Sequence, residues 1–246
     1  MKATKMSEVS KERVSEFYDS FLEEEESGLK LNVRHYKVFR ELCRAGLKRD
    51  HKVLEVGCGF GTVTSLIAPY VKRGQVLAVD ISPNRVAVAQ KNLRKYRNIE
   101  FLVADMSNFQ RDEKFDVVLM PDVLEHIPIE QHEALFQTYA RHLNPGGMVF
   151  VHIPHPLSLD WARINRPESL QIIDQSLYTE MYMPKIAVSG FYIDTLISYN
   201  LTLNLPDYQI IVFKQKEPYP AMSTLPTNAI RWRKLRYRLS AWFARL

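Results

Sequence analysis

Five residues of this sequence have the types and spacing needed to hold a small polar ligand. Gly57, Gly59 and Gly61 lie in the segment LEVGCGFGT, between an apolar run and a helical pattern. Glycine lets the backbone turn sharply and approach a ligand closely. Asp80 and Asp105 each end a later apolar run. A carboxylate there can accept hydrogen bonds from the hydroxyls of a ribose or from the exocyclic amine of an adenine. These residues predict a nucleoside site.

Three neighbouring side chains support this prediction. Ile81 and Met106 directly follow the two aspartates and are placed to sandwich an apolar ring, and Glu55 precedes the glycines. The glycine spacing is G-x-G-x-G, whereas the related dinucleotide loop has G-x-G-x-x-G. Nothing in this pattern requires the ligand to carry a phosphate, and the domain offers no obvious lysine or arginine to bind one.

The elements that must position these residues alternate along the chain from residue 52. Five continuous apolar runs are typical of buried strands: KVLEVG, QVLAVD, IEFLVAD, FDVVLMPD and MVFVHIP. Helical patterns lie between them, among them TVTSLIAPYV and a helix with Ser82 as N-cap and Pro83 as its first residue. This alternation predicts an α/β fold, with a parallel sheet covered by helices on both faces. The runs GFYIDTLISYNLTLN and DYQIIVFKQKE predict two closing antiparallel strands.

Taken in order, the motifs resemble those of class I S-adenosylmethionine-dependent methyltransferases of the small-molecule type. The motifs are VLEVGCGFGT, LAVDIS, VADM, FDVVLMPDVLEHI and LNPGGMVFVHIP, and the resemblance covers about residues 50–155. It implies a methyltransferase with S-adenosyl-L-methionine as cofactor. It also implies a Rossmann-like, doubly wound seven-stranded sheet, mostly parallel with an antiparallel last strand. A nicotinamide-binding Rossmann domain is the nearest alternative for the loop taken alone.

The resemblance also implies roles for individual residues in holding the cofactor. Gly57 and Gly59 contact its methionine part through the backbone, Asp80 holds the ribose, and Asp105 with Met106 holds the adenine. Asp122 would lie beside the methyl sulfonium, Arg34 would meet the cofactor carboxylate, and Tyr18 would close over it.

Three histidines are candidates for a catalytic base. A hydroxyl acceptor must lose a proton, and histidine is the side chain whose ordinary pKa suits that task. His152 and His155 follow the fifth strand and His126 follows the fourth. We therefore expect an O-methyltransferase with a histidine base, which is His155 beyond the strand, His152 or His126. Burial against a helix is the alternative for His152, and a structural role is the alternative for His126. No cluster has metal-ligand spacing, so we expect no catalytic metal.

The chain divides into four predicted parts. Residues 1–48 form a helical cap over the cofactor site, 49–216 the methyltransferase domain, 217–228 a linker and 229–246 a basic amphipathic helix. Within the domain, an insert at about 155–189 is the expected lid over the acceptor. Its residues suited to a sugar ring or a phosphate, or to packing the lid on the sheet, are Trp161, Arg163, Arg166, Tyr178 and Tyr182.

The C-terminal helix carries the basicity of the chain. The formal net charge is +5, and residues 229–246 contribute +6, so the remainder sums to −1. On a helical wheel, six apolar residues share one stripe that is 100° wide. These six are Trp232, Leu235, Leu239, Trp242, Phe243 and Leu246. Such a helix is typical of a membrane interface. Packing on the domain or on a second copy in a homodimer stays open.

Three functions remain open from the sequence. The first is a methyltransferase acting on a small-molecule or lipid-linked acceptor, such as a glycan intermediate, a lipid head group or a quinone-like lipid. The second is an RNA or protein methyltransferase anchored by the tail, although the near-neutral body disfavours nucleic acid. The third is a non-catalytic cofactor-binding scaffold. Two isolated cysteines and a polar N-terminus predict a cytoplasmic protein, at the inner face of the cell membrane.

Overall fold

Seven strands form one sheet in the computed structural model, which describes residues 29–171, 173–216 and 223–243. The strands are β1 (Lys52–Val56), β2 (Gln75–Asp80), β3 (Ile99–Val103), β4 (Phe115–Pro121), β5 (Leu143–Pro154), β6 (Phe191–Tyr199) and β7 (Tyr208–Gln215). Their order is β3-β2-β1-β4-β5-β7-β6. Six strands run in one direction, and β7 runs in the opposite direction between β5 and β6. The predicted Rossmann-like sheet with an antiparallel last strand is confirmed.

The direction in which strands are added reverses between β1 and β4. The carboxyl ends of these two adjacent parallel strands therefore flank a crevice, which is where ligands bind in open α/β sheets. Because β7 is antiparallel, its first residues lie beside the carboxyl end of β5, with Tyr208 opposite Pro154. The start of β7 and the end of β6 consequently belong to the same edge of the sheet as the crevice.

Seven α-helices accompany the sheet in the described part of the chain. They are α1 (Val33–Ala45), α2 (Thr64–Ile67), α3 (Pro83–Leu93), α4 (His132–His142), α5 (Pro156–Asn165), α6 (Thr179–Ala187) and α7 (Thr227–Phe243). Ser82 caps α3 by accepting the Arg85 N–H, with Pro83 in the first turn, as the sequence predicts. The helix expected over TVTSLIAPYV is shorter than predicted, because Pro69 follows the capping residue Ala68 and has no N–H to continue the helical hydrogen bonds.

The core has two layers, one on each face of the sheet. On one face, Phe136 and Tyr139 of α4 and Tyr182 of α6 pack on Phe213 and its neighbours. On the other, Val38 and Leu42 of α1 pack with residues of β1, β4 and β5. Helices therefore cover both faces, as the continuously apolar strands require.

Residues 217–246 form a second compact unit, of which the structure describes 223–243. Helix α7 accounts for most of it. None of the helices described has the length and apolar character needed to cross a lipid bilayer.

Candidate active site

The glycine loop after β1 is held at the crevice by its own backbone. The N–H groups of Gly57 and Cys58 donate to the carbonyl of Val79 in β2 at 2.8 and 2.9 Å. Gly57 has φ of +74°, and a Cβ atom added there would overlap Cγ2 of Val123, which follows β4. Gly59 has φ of +52°, and a Cβ atom there would meet open space. The loop is thus clamped on one side and open on the other.

Asp80 joins the end of β2 to this loop. One carboxylate oxygen accepts the Gly59 N–H at 2.8 Å, and the other accepts the Ser82 N–H at 3.0 Å. The residue is buried. A carboxylate has about four lone-pair positions, so Asp80 keeps acceptor capacity for hydroxyls of a bound nucleoside.

Glu55 lies in β1, two residues before Gly57, and is fully buried. Its Oε2 accepts the Thr64 hydroxyl at 2.6 Å. Burial, with Asp80 nearby, raises the pKa of Glu55 to about 8. Its Oε1 has no hydrogen-bond partner among the described residues. A buried polar atom without a partner is costly, so this oxygen fits a hydrogen-bonding group of a bound cofactor.

The residues expected around the adenine have mixed surroundings. Asp105 lies two residues beyond β3 and accepts both the N–H and the hydroxyl of Ser107 at 2.9 Å. Met106 is buried in the core beside Phe109, and Ile81 is half-buried after β2. Tyr18, expected to close over the cofactor, lies outside the described residues.

A buried polar network occupies the carboxyl ends of β4 and β5. His152 is fully buried, and both of its ring nitrogens are engaged. Its Nδ1 lies 2.6 Å from Oδ1 of Asp122, and its Nε2 lies 2.6 Å from the hydroxyl of Tyr199. The ring of Tyr208 stacks on the imidazole at 5.0 Å. Asp122 is the only non-glycine residue with positive φ in the described part, at 56°, and its N–H donates to the His152 carbonyl.

Helix α1 places two cations over this network. Arg34 pairs with Oδ2 of Asp122 at 3.2 Å, and its guanidinium lies 5.8 Å from the Tyr208 ring centre. Lys37 lies 4.6 Å from the Tyr199 ring centre. Burial alone would raise the pKa of Asp122, but the contacts with His152 and Arg34 outweigh it and hold the pKa at about 2. Asp122 is therefore a carboxylate at neutral pH.

The other two candidate bases belong to separate surroundings. His126 contacts the Ile173 carbonyl at 2.5 Å and Asp174 at 3.1 Å. Burial lowers its pKa, but Glu125 and Asp174 outweigh this and raise it to about 9. His155 precedes α5, half-buried, and burial lowers its pKa. Its Nδ1 has no partner among the described residues. Of the three histidines, His152 has a ring nitrogen at hydrogen-bond distance from Asp122, and the charge of His126 also lowers the pKa of Asp122.

Within the insert, the expected acceptor residues divide between core and surface. Tyr182 is fully buried and packs against Phe213, so it belongs to the core and is not free to meet an acceptor. Tyr178 donates to Asp160 at 2.7 Å, and Arg163 pairs with the same carboxylate. The guanidinium of Arg166 lies 5.3 Å from the ring centre of Trp161, which is exposed. Of the five residues expected to meet an acceptor, Trp161 and Arg166 therefore lie exposed on the surface of the insert.

The sequence reasoning did not single out Tyr199 or Tyr208. Tyr199 is the last residue of β6 and Tyr208 is the first residue of β7. The two face each other in the β6–β7 pairing. The signal that could have found them was the antiparallel direction of β7, which returns the start of that strand to the carboxyl edge of β5.

Residues 53–147 match the family described as "Methyltransferase domain". The chain carries a class I S-adenosylmethionine-dependent methyltransferase domain. Sequence relatives include (S)-coclaurine N-methyltransferase of Thalictrum flavum subsp. glaucum, 31% identical over 46% of this chain and 31% of that protein. Another is trans-aconitate 2-methyltransferase of Methylobacterium nodulans, 30% identical over 51% of this chain and 46% of that protein. The chain thus spans less than half the length of either relative.

Solved structures share the fold of this methyltransferase domain. Magnesium protoporphyrin IX methyltransferase from Synechocystis, with bound S-adenosylhomocysteine, has a TM-score of 0.64 at 18% identity, over 84% of this chain and 99% of that one. The N-methyltransferase NodS from Bradyrhizobium japonicum, also with S-adenosylhomocysteine, has a TM-score of 0.62 at 20% identity, over 82% and 99%. At these identities the likeness shows the fold.

Proposed function

We propose that this protein transfers the methyl group of S-adenosylmethionine to a hydroxyl group of a small acceptor. The observation that carries the proposal is the contact between the two halves of the site. The glycine loop, with Asp80 and Glu55, is clamped against Val123, and the adjacent Asp122 joins His152. The loop proposed to hold the nucleoside thus lies beside the pair formed by the half-buried Asp122 carboxylate and the buried His152 imidazole.

The residues of this chain bind the cofactor and orient it toward the acceptor. The backbone of Gly59 lies at an opening, Asp80 keeps acceptor capacity for hydroxyls, and Glu55 has a buried oxygen without a partner among the described residues. When bound, S-adenosylmethionine supplies a methyl group already activated by its sulfonium. The main task left to the protein is to align acceptor and donor, which can supply several kcal/mol of barrier reduction.

A hydroxyl acceptor is favoured over an amine by the Asp122–His152 pair. A hydroxyl must lose its proton as the methyl group is transferred, whereas an amine needs only to be neutral beforehand. The relatives' names include both kinds: an N-methyltransferase acting on (S)-coclaurine and an O-methyltransferase acting on malonyl-[acyl-carrier protein]. The imidazole held by an ionised carboxylate supports the second kind here.

We further propose that α7 docks the enzyme on an anionic lipid surface at the cytoplasmic side of the cell membrane, where the acceptor is lipid-linked. Its apolar residues are exposed: Ile230, Trp232, Leu235, Tyr237 and Leu239. Basic residues accompany them: Arg231, Arg233, Lys234, Arg236 and Arg238. Each cation near an anionic leaflet contributes about 1 kcal/mol, and apolar side chains beside them suit the interface.

Calorimetry and isotope transfer test the enzymatic proposal. We expect the full chain to bind S-adenosylhomocysteine and not NAD, and Asp80→Asn to weaken that binding about tenfold or more, since an amide group replaces one acceptor oxygen. Incubated with methyl-labelled S-adenosylmethionine, the full chain should label a total-lipid extract in preference to cytosolic small molecules or RNA. Binding of NAD alone would refute the cofactor assignment, and label in RNA alone would refute the acceptor.

Vesicle co-sedimentation tests the docking proposal. The full chain should sediment with vesicles of phosphatidylglycerol and phosphatidylcholine, and much less with phosphatidylcholine alone. Trp232→Glu with Leu239→Glu should reduce sedimentation about tenfold or more, while Ser240→Glu, on the same helix, has a smaller effect. Equal sedimentation by all variants would reject the lipid surface. A shift from dimer to monomer in the double variant, without vesicle binding, would assign α7 to a homodimer.

A further inference from the structure

His152 cannot meet an acceptor directly. It is fully buried, its ring is stacked on Tyr208, and both nitrogens already have partners at 2.6 Å. A proton that leaves an acceptor can reach this imidazole only through one of those partners. Asp122 lies on one side, paired with Arg34, and Tyr199 lies on the other.

The direction of the hydrogen bonds follows from the charge on Asp122. Its contacts with His152 and Arg34 keep it ionised, and an ionised carboxylate only accepts hydrogen bonds. Nδ1 of His152 must therefore carry the hydrogen that Asp122 accepts. In the neutral ring the other nitrogen is then an acceptor. An imidazole that is to accept a proton must be neutral, and in that state Tyr199 donates its hydroxyl hydrogen to Nε2.

We propose that Tyr199 is the residue that meets the acceptor hydroxyl, and that it passes the acceptor's proton to His152. This inference rests on the proposed function. The acceptor's proton moves to the Tyr199 oxygen while the Tyr199 hydrogen moves to Nε2 of His152, and Asp122 balances the imidazolium. The acceptor oxygen's electron pair forms the bond to the methyl carbon. The carbon–sulfur bond of the sulfonium breaks, and its electron pair goes to sulfur.

The surroundings of Tyr199 suit this exchange. The residue is half-buried, whereas His152 has no exposed surface. Burial, and next the charge of Asp122, raise the pKa of Tyr199 above its ordinary value. The phenol of Tyr199 therefore stays protonated at neutral pH. It takes up the acceptor's proton only as it gives its own hydrogen to His152. Lys37 lies over its ring.

Neither nearby alternative offers the same path. The Tyr208 hydroxyl lies 3.5 Å from Arg34, and its ring faces the imidazole without a hydrogen bond between them among the contacts described. His155 has no acidic partner, and its Nδ1 has none of the described residues as partner. Among the described residues, Tyr199 is the only hydroxyl within hydrogen-bond distance of an imidazole nitrogen of His152.

Nuclear magnetic resonance of the protein without cofactor gives a readout independent of turnover. In the full chain labelled with ¹⁵N-histidine, the His152 signals are assigned by their loss in His152→Gln. We expect a protonated Nδ1 and an unprotonated Nε2 that accepts a hydrogen bond. Tyr199→Phe should move Nε2 toward the position of a nitrogen without a donor and leave Nδ1 protonated. Tyr192→Phe, exposed on the same strand, should move neither. An Nε2 signal that Tyr199→Phe leaves unchanged would overturn the proposal.

Turnover distinguishes a proton path from a structural contact. With labelled S-adenosylmethionine and total-lipid extract, Tyr199→Phe should lower kcat about 100-fold, within the usual range for proton transfer, and change S-adenosylhomocysteine affinity less than twofold. The dependence of kcat on pH should also change. The profile is compared with those of Arg34→Lys, His35→Gln, Lys37→Met, Tyr208→Phe and Asp207→Asn, because these groups face the network from α1, β7 and the segment before β7.

Two results would separate the proposals. Unchanged kcat and pH profile in Tyr199→Phe, or an equal loss of kcat and cofactor affinity, would make Tyr199 a structural residue and refute the proton path. A wild-type chain that binds no S-adenosylhomocysteine would refute the proposed function instead, while the Nε2 signal would still report whether Tyr199 donates to His152.

Discussion

At the scale of single residues, the site depends on backbone positions whose left-handed conformation favours glycine. Gly57 and Gly59 both have left-handed backbone, but their surroundings differ. Gly57 faces Val123, and Gly59 faces open space. Asp122 adopts a similar backbone without being glycine, at a cost of about 1–3 kcal/mol. Its contacts with His152 and Arg34 offset that cost and fix its direction.

We predict that Gly57→Ala destabilises the fold more than Gly59→Ala. Both variants strain the left-handed backbone by about 1–2 kcal/mol, but only the methyl group at Gly57 overlaps the Val123 side chain. Denaturant unfolding measures the difference. Val123→Ala should recover part of the loss in the Gly57→Ala background and none in the Gly59→Ala background. Equal losses in the two single variants would contradict the clamp.

At the scale of elements, one histidine ties the insert to the segment after β4. His126 follows β4 and contacts Ile173 and Asp174 of the segment between α5 and α6. Gln175 strengthens the junction by donating its amide to the Ile127 carbonyl at 2.6 Å. We therefore expect the position of the insert to depend on the protonation of His126.

We predict that this junction weakens at alkaline pH. The pKa of His126 is about 9 in the folded state against an ordinary value of 6.5. Its contribution is therefore complete below about 6.5 and is lost as pH rises through about 9. Limited proteolysis of the insert should accelerate between pH 7 and 9.5 in the wild type. His126→Gln should be cleaved readily at both values.

His51→Gln serves as the control for that experiment, because His51 lies before β1, far along the chain from the insert. It should behave as the wild type does. Cleavage that does not depend on pH in the wild type would show that His126 does not hold the insert.

At the scale of the whole molecule, the chain separates into a domain of near-neutral charge and a basic helical unit. The boundary falls at Lys216, directly after β7. The sheet is complete before it. Function assigned to the glycine loop and function assigned to α7 can therefore be tested separately.

We predict that a chain ending at Lys216 keeps the stability and cofactor binding of the full chain. No strand of the sheet lies beyond that residue in the described part, so thermal unfolding should shift by only about 2–4 °C, equivalent to roughly 1 kcal/mol or less. S-adenosylhomocysteine affinity should stay within twofold. A large loss of either would show that residues 217–246 complete the domain.

The fold and the cofactor half of the site were predictable because their determinants are local. Continuous apolar strands, the glycine loop and the aspartate at the end of β2 each lie within a few residues of one another, and parallel strands put their ends at one edge. The structure places Asp80 in contact with Gly59 and near Glu55 there. The roles given to these residues in holding the cofactor stay predictions, as do those of Asp105, Met106, Arg34 and Tyr18.

The acceptor half was decided by tertiary structure. Asp122 and Tyr199 are 30 and 47 residues from His152 along the chain. Asp122 meets it because β4 pairs with β5 and places Pro121 opposite His152, and Tyr199 meets it because antiparallel β7 brings the end of β6 to the carboxyl edge of the sheet. A strand pattern reveals which side chains share a face, but not which strands become neighbours or in which register. The packing of the whole sheet therefore buries His152 beside Asp122 and places Tyr182 in the core.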